Sequence, residues 1–249
     1  MLRRFAALAL FLIPALAVAA DTKTGFLTKT HKNADGTTSD YVVFVPHTYD
    51  GSKEFPIVLF LHGSGETKGD KGGKMPVEQG IGPHIKRNEK TFPAFVVIPQ
   101  SEKRTWQADS DDGKRAMAML DATMKEYKID ANRQYLTGLS MGGYGTWSHA
   151  AAFADRWACF VPVCGGARNA DDVKAIAEKV KGIPCWCWHG DKDTAVKVEK
   201  SRELIEAMKK AGADPRYTEL EYVGHNCWDA AYATPELIDW MMKQKKATK

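Results

Sequence analysis

The stretch TGLSMGGYGTW, Thr137 to Trp147, sets one serine between Gly138 and Gly142 and adds Gly143 and Gly145 directly after. A helix loses stability with each glycine, and a loose turn needs fewer of them. The residues before the serine, RQYLTGLS, are apolar and β-prone, whereas TWSHAAAFADRWA after it reads as helix. The glycines therefore mark a strand-to-helix corner. The flanking chain has to say whether that corner carries chemistry or is merely tight.

Outward from the corner the pattern repeats. PIVLFLHG, AFVVIPQ, QYLTGLS, CFVPVCG and PCWCWHG are short apolar runs, and YTELEYVGH closes the series. Continuous apolar runs that end in Gly or polar residues suit strands buried on both faces. FLTKTHKNADGTTSDYVVFVP adds two strands around a turn at Asp35-Gly36. Between the runs lie helical stretches. GKRAMAMLDATMKEYKI follows the acidic N-cap signal SDD, VEKSRELIEAMKKAG stops at glycine, and TPELIDWMMKQ opens with Thr-Pro. Strands alternating with helices give an α/β fold, a mostly parallel central sheet with helices on both faces. Only ETKGDKGGKMPVEQG, Glu66 to Gly80, reads as a long glycine-rich loop, and no repeat or linker divides the chain. Residues 21–249 are expected to form one domain.

The first twenty residues read differently. Basic MLRR followed by apolar FAALALFLIPALAVAA, with small residues before Asp21, has the form of a signal peptide cleaved on export to a periplasmic or secreted location. No cysteine stands near that cleavage point, and no later run is long and apolar enough to span a bilayer, so no membrane anchor is expected after cleavage. The formal net charge of +4 falls to +2 once Arg3 and Arg4 are removed, and the remaining charges are interspersed. That distribution excludes a nucleic-acid-binding face. Of the five cysteines, Cys159, Cys164, Cys185 and Cys187 fall in apolar segments as small hydrophobes. Export permits a disulfide, and the odd count leaves a thiol over. Cys-Trp-Cys lacks metal-site spacing, so no metal and no cofactor are expected.

Ligands of such sheets bind at the carboxyl ends of the strands. Those ends read His62-Gly63-Ser64-Gly65, Pro99-Gln100, Ser140, His189-Gly190 with Asp191 and Asp193, and Gly224-His225. Gly138-Leu139-Ser140-Met141-Gly142 matches G-x-S-x-G, in which a crowded turn lifts the serine hydroxyl above the sheet at a helix N-terminus. Serine is a poor nucleophile without a base, and His225 after the last strand is the candidate. His149 and His189 read as structural or as supporting the site's residues from behind, and His31, His47 and His84 as surface or loop residues. The carboxylate is Asp191 or Asp193. Asp191 suits a turn residue binding its own loop, which leaves Asp193 as the acid. An oxyanion would need the N–H of Met141 and that of Ser64, with Gly63 beside it.

LFLHGSGETKGD, FPAFVVIPQ, YLTGLSMGGYGTW, WHGDKDTAV and GHNCWDAAYATPELIDW occur in that order across nearly the whole of residues 21–249. Together they resemble the α/β-hydrolase superfamily, in particular exported esterases related to polyhydroxybutyrate depolymerases and to feruloyl or acetylxylan esterases. The predicted peptidases akin to prolyl oligopeptidase catalytic domains look equally close. The resemblance implies Ser140 as nucleophile, Asp193 as acid and His225 as base, acting on a small-molecule or carbohydrate-linked ester. No appended polymer-binding module is expected. Trp106 and Trp228 are candidates to line an acyl pocket, and Glu66 and Gln100 to orient substrate hydroxyls, although both also suit loop capping. Trp147 and Trp240 read as core. Asp109, Asp111 and Asp112 suit helix capping better than calcium. Three rivals remain: a peptidase using the same triad, a silent binding protein on the same fold, and a thiol-redox role for the Cys-Trp-Cys strand.

Overall fold

Alternating apolar residues explain how the strands stack. The computed structural model describes residues 23–69 and 76–246; the expected signal peptide and residues 70–75 of the glycine-rich loop lie outside the described residues. The strands are β1 Gly25–Lys32, β2 Thr38–Val45, β3 Phe55–Leu61, β4 Phe95–Pro99, β5 Ile129–Leu139, β6 Cys159–Val163, β7 Trp186–Gly190 and β8 Arg216–Leu220. They form one sheet in the order β1-β2-β4-β3-β5-β6-β7-β8. β1 and β2 pair antiparallel, as does β2 with β4, and the pairings from β4 onward are parallel. Consecutive residues of β3 feed opposite cores: Ile57, Leu59 and Leu61 one, Val58 and Phe60 the other.

Among the described residues seven α-helices cover the two faces: α1 Ile81–Arg87, α2 Asp111–Glu126, α3 Met141–Ala152, α4 Ala170–Val180, α5 Glu199–Lys210, α6 Trp228–Ala233 and α7 Pro235–Lys243. Helices α2 to α5 send residues such as Leu120, Trp147, Ala177 and Leu204 into one core, and α1, α6 and α7 send Ile85, Ala231 and Leu237 into the other. Among the described residues no helix is long and apolar enough to cross a membrane. Ser110 caps α2 by accepting the Gly113 N–H at 3.0 Å. That helix stops at Glu126, because Tyr127 is extended and Ile129 already opens β5.

The chain runs from β3 outward to β4, then crosses back to place β5 on the other side of β3. That reversal opens a crevice between the carboxyl ends of β3 and β5, where doubly wound sheets bind ligands. Leu61 pairs with Gly138 there, and the first turn of α3 lies directly on them. A Cβ on Gly138 would stand 2.5 Å from the Gly142 carbonyl oxygen, and one on Gly142 would overlap the Leu61 carbonyl. Close approach of helix to strand is what these glycines permit.

A buried histidine ties the ends of β3 and β4 together. His62 is fully buried; its Nδ1–H donates to the Gly63 carbonyl at 2.5 Å and its Nε2 accepts the Ser101 N–H at 2.9 Å. Ser101 Oγ donates at 2.6 Å to Asp112, which also accepts the N–H groups of Glu102 and Lys103 and pairs with Arg115. Asp112, taken from sequence as part of a capping cluster, thus clasps the loop after β4 to α2. Burial pushes the imidazoles of His62 and of His149 on α3 down to about 4.

Two outcomes follow from this packing. Gly142→Ala is expected to lower the unfolding midpoint by about 5–10 °C in a thermal melt, because backbone must move. Gly182→Ala, where a Cβ meets nothing within 4 Å, is expected to leave it nearly unchanged. The buried histidines fix the sign of the acid response. Their folded values lie below the unfolded one, so the unfolded chain binds more protons between roughly pH 6.5 and 4, and stability falls as pH falls through that window. Urea titrations at neutral pH and near pH 5 should differ by about 2 kcal/mol for each imidazole. His149→Leu should remove its share; an equal pH response in that variant would contradict a neutral buried His149.

Candidate active site

Ser140 stands where β5 turns into α3, with φ 54° and ψ −117°. A non-glycine residue rarely takes such a backbone, and the surrounding contacts must hold it there. Its N–H donates to the Val163 carbonyl at 3.0 Å, and its carbonyl accepts from Tyr144 N–H at 3.0 Å. The hydroxyl is left on the partly exposed side of the turn. His225, in the loop between β8 and α6, brings Nε2 to 2.9 Å from Ser140 Oγ. Its Nδ1 lies 2.7 Å from Asp193 Oδ2, in the loop after β7. With Asp193 ionised, Nδ1 carries the proton and Nε2 accepts from the hydroxyl.

Asp193 is fully buried at its side chain, and both oxygens are engaged. Oδ1 accepts the N–H groups of Ala195 and Val196, each at 2.9 Å, which orients the carboxylate as its own loop folds. Burial would raise its pKa, but the bonds to His225 and to Val196 outweigh that and hold it below the usual carboxylate range. His189 completes the surround, with Nε2 3.2 Å from Asp193 Oδ2 and 2.9 Å from the Val196 carbonyl. Burial lowers the pKa of His189, so it contributes a neutral N–H there. Asp191, the other carboxylate weighed from sequence, pairs instead with Lys192 at 2.9 Å.

Across the crevice, Gly63 is extended and Ser64 opens a short 3-10 turn, Ser64–Glu66. A Cβ on Gly63 would meet Leu139 at 2.8 Å and Ser140 Cβ at 3.8 Å, so this peptide lies close over the elbow. Carbonyl and following N–H point oppositely across a trans peptide. The His62 Nδ1–H bond to Gly63 O therefore turns the Ser64 N–H away from the buried imidazole. Met141 opens α3, where a helix leaves its first N–H groups without intrahelical partners. Gln100 donates its side-chain N–H to the Glu66 carbonyl at 2.9 Å, and Glu66 Oε2 lies 3.9 Å from His62 Nδ1. The contacts of both residues support the loop.

The expectation that Trp106 lines a pocket is corrected. It is 1 % exposed, and its indole N–H donates to the His62 carbonyl at 3.0 Å, behind the site. Trp228 is partly exposed and stands edge-on to His225, with ring centres 5.2 Å apart. Two further residues neighbour the site. His189, expected from its strand-end position to be structural or to support the site from behind, does the latter by contacting Asp193. Cys164 follows β6 at another strand end and was read as a small hydrophobe; its sulfur falls within 4.8 Å of ligand atoms of Asp193 and His225.

The family model BD-FAE matches residues 43–155. The bifunctional acetylxylan esterase/xylanase XynS20E of Neocallimastix patriciarum is 26% identical over 173 residues, 68% of this chain and 24% of that protein. The probable feruloyl esterase C of Aspergillus terreus is 24% identical over 147 residues, 59% of this chain and 53% of that protein. The chain thus spans between about a quarter and a half of the length of these curated relatives. Among solved structures, a thermostable esterase superposes with a TM-score of 0.75 at 31% identity, covering 88% of this chain and 63% of that one. In sheet order, elbow and matches the chain is similar to esterases of the α/β-hydrolase fold.

Proposed function

We propose that the protein is an exported serine hydrolase that cleaves carboxylic esters, with Ser140 as nucleophile, His225 as base and Asp193 as acid. The observation that carries this reading is the unbroken hydrogen-bonded run from Ser140 Oγ through His225 to the buried Asp193. Ser140 Oγ attacks the ester carbonyl while His225 Nε2 takes its proton. The N–H groups of Met141 and Ser64 hold the oxyanion, and the positive end of α3 adds to that field. The imidazolium, stabilised by Asp193, returns the proton to the departing alkoxide. Water then enters, gives a proton to His225 and releases the acyl group from Ser140.

Short acyl groups or feruloyl groups linked to carbohydrate are the proposed substrates. The names of the relatives support that class, and the partly exposed Trp228 beside His225 supports an aromatic wall for the acyl group. The basic and then apolar first twenty residues support export.

Hydrolysis of a chain-length series of p-nitrophenyl esters and of methyl ferulate tests the proposal. Ser140→Ala is expected to lose about 10⁴-fold or more in kcat, and Asp193→Asn about 10³–10⁴-fold. Cleavage of activated peptide amides as fast as esters would favour a peptidase instead. Ester activity undiminished in Ser140→Ala would overturn the assignment, and no turnover of either substrate class would favour a silent binding protein.

A further inference from the structure

The proposed ester reaction leaves two thiols beneath the triad without a part in it. Cys164 follows the last residue of β6, and Cys227 lies two residues beyond His225 at the start of α6; both are fully buried and free. Along β6 the residues facing α1, α6 and α7 are Cys159, Val161 and Val163, while Phe160 faces the other way. Strict alternation would send Cys164 with Phe160. Its φ of 40°, in the left-handed region, breaks the alternation and turns it to the same core as Val163 and Cys227. Its N–H, bonded to the Trp188 carbonyl at 2.8 Å, holds that turn. The two thiols lie in that same core, close enough for each to bear on the other's ionisation. Cys164 Sγ also shares a cluster with Asp193 and His225 in which the ligand atoms lie within 4.8 Å of one another. Cys187 differs, since its thiol is directed at Ser201 Oγ at 3.4 Å on the opposite face.

We propose that Cys164 and Cys227 are an oxidisable pair that closes to a disulfide and fastens the loop carrying His225 to the end of β6. The co-reactant is a small-molecule or protein disulfide. One cysteine thiolate attacks a sulfur of that disulfide and releases one thiol; the second cysteine attacks the mixed disulfide and releases the other. One S–S bond forms as one breaks, the two cysteine protons end on the two released thiols, and two electrons pass from the cysteines to the reagent. Burial pushes the Cys164 thiol well above its ordinary range, so closure in the folded protein is slow. It proceeds during folding, or when the His225 loop opens. An oxidising compartment outside the cytoplasm supplies the reagent.

The full-length protein is held with oxidised glutathione or with a phosphine reductant, alkylated, digested without reduction and mapped by mass spectrometry, with a thermal melt on each sample. A single cross-link between the Cys164 and Cys227 peptides is expected, with an unfolding midpoint about 5–10 °C above that of the reduced protein. Cys227→Ala should lose both, and Cys185→Ala should keep both. Should Cys227→Ala fail to fold, the wild-type map and the Cys185→Ala melt still decide. Alkylation of both Cys164 and Cys227 after oxidation, a cross-link joining any other pair, or a midpoint unmoved by the cross-link would overturn the proposal. None of these readouts depends on ester hydrolysis, so failure of the proposed activity and failure of this pairing are distinguishable.

Discussion

The first turn of α3 rests on the carbonyl end of β3, with no side chain between them. Gly138 and Gly142 permit that contact, since a Cβ at either would run into backbone oxygen. The contact forces the chain through Ser140 at positive φ, and this is what lifts the hydroxyl off the sheet. It also brings the elbow under the Gly63-Ser64 peptide, because β3 and β5 are neighbours in register at Leu61 and Gly138. The position of the serine and that of the Gly63-Ser64 peptide are therefore one geometric fact. A shift of α3 away from β3 would undo both.

Around that contact, two buried carboxylates are each held by several partners. Asp193 stays ionised out of water because two N–H groups of its own loop, His225 and His189 share its two oxygens. Asp112 plays the corresponding part on the other side of the crevice, holding the loop that presents the Ser101 N–H to His62. A buried carboxylate on each side of the crevice thus stiffens the loops from which the facing groups project. The hydroxyl and Trp228 remain partly open to solvent, where a substrate would enter.

Much of this was legible in the sequence, for physical reasons that differ by element. The inner strands announce themselves as unbroken apolar runs because both their faces are covered, and the glycines of Thr137–Trp147 announce a contact too close for side chains. Strand-end placement singled out Ser140, Asp193 and His225, and the structure brings their side chains within hydrogen-bonding reach. Trp106 was misjudged because a loop tryptophan gives no sign of which way it turns; here it packs inward and its N–H finds the His62 carbonyl. Cys164 escaped notice because only a left-handed residue at the end of β6 separates a core thiol from one beside the triad. The short helices α1 and α6 carry too few turns to show a period, and α4 opens on a run of polar residues.

The central claim is that Ser140 is a nucleophile activated through His225, and a serine-directed fluorophosphonate tests it without any assumption about the natural substrate. The reagent transfers phosphorus to a hydroxyl only if a base removes the proton as fluoride leaves. Mass mapping of the labelled protein should place a single phosphonyl group on Ser140 and find none in Ser140→Ala, with labelling slowed by about 10³-fold or more in His225→Ala. A label on another residue, or one that forms on Ser140 as fast without His225 as with it, would contradict the account.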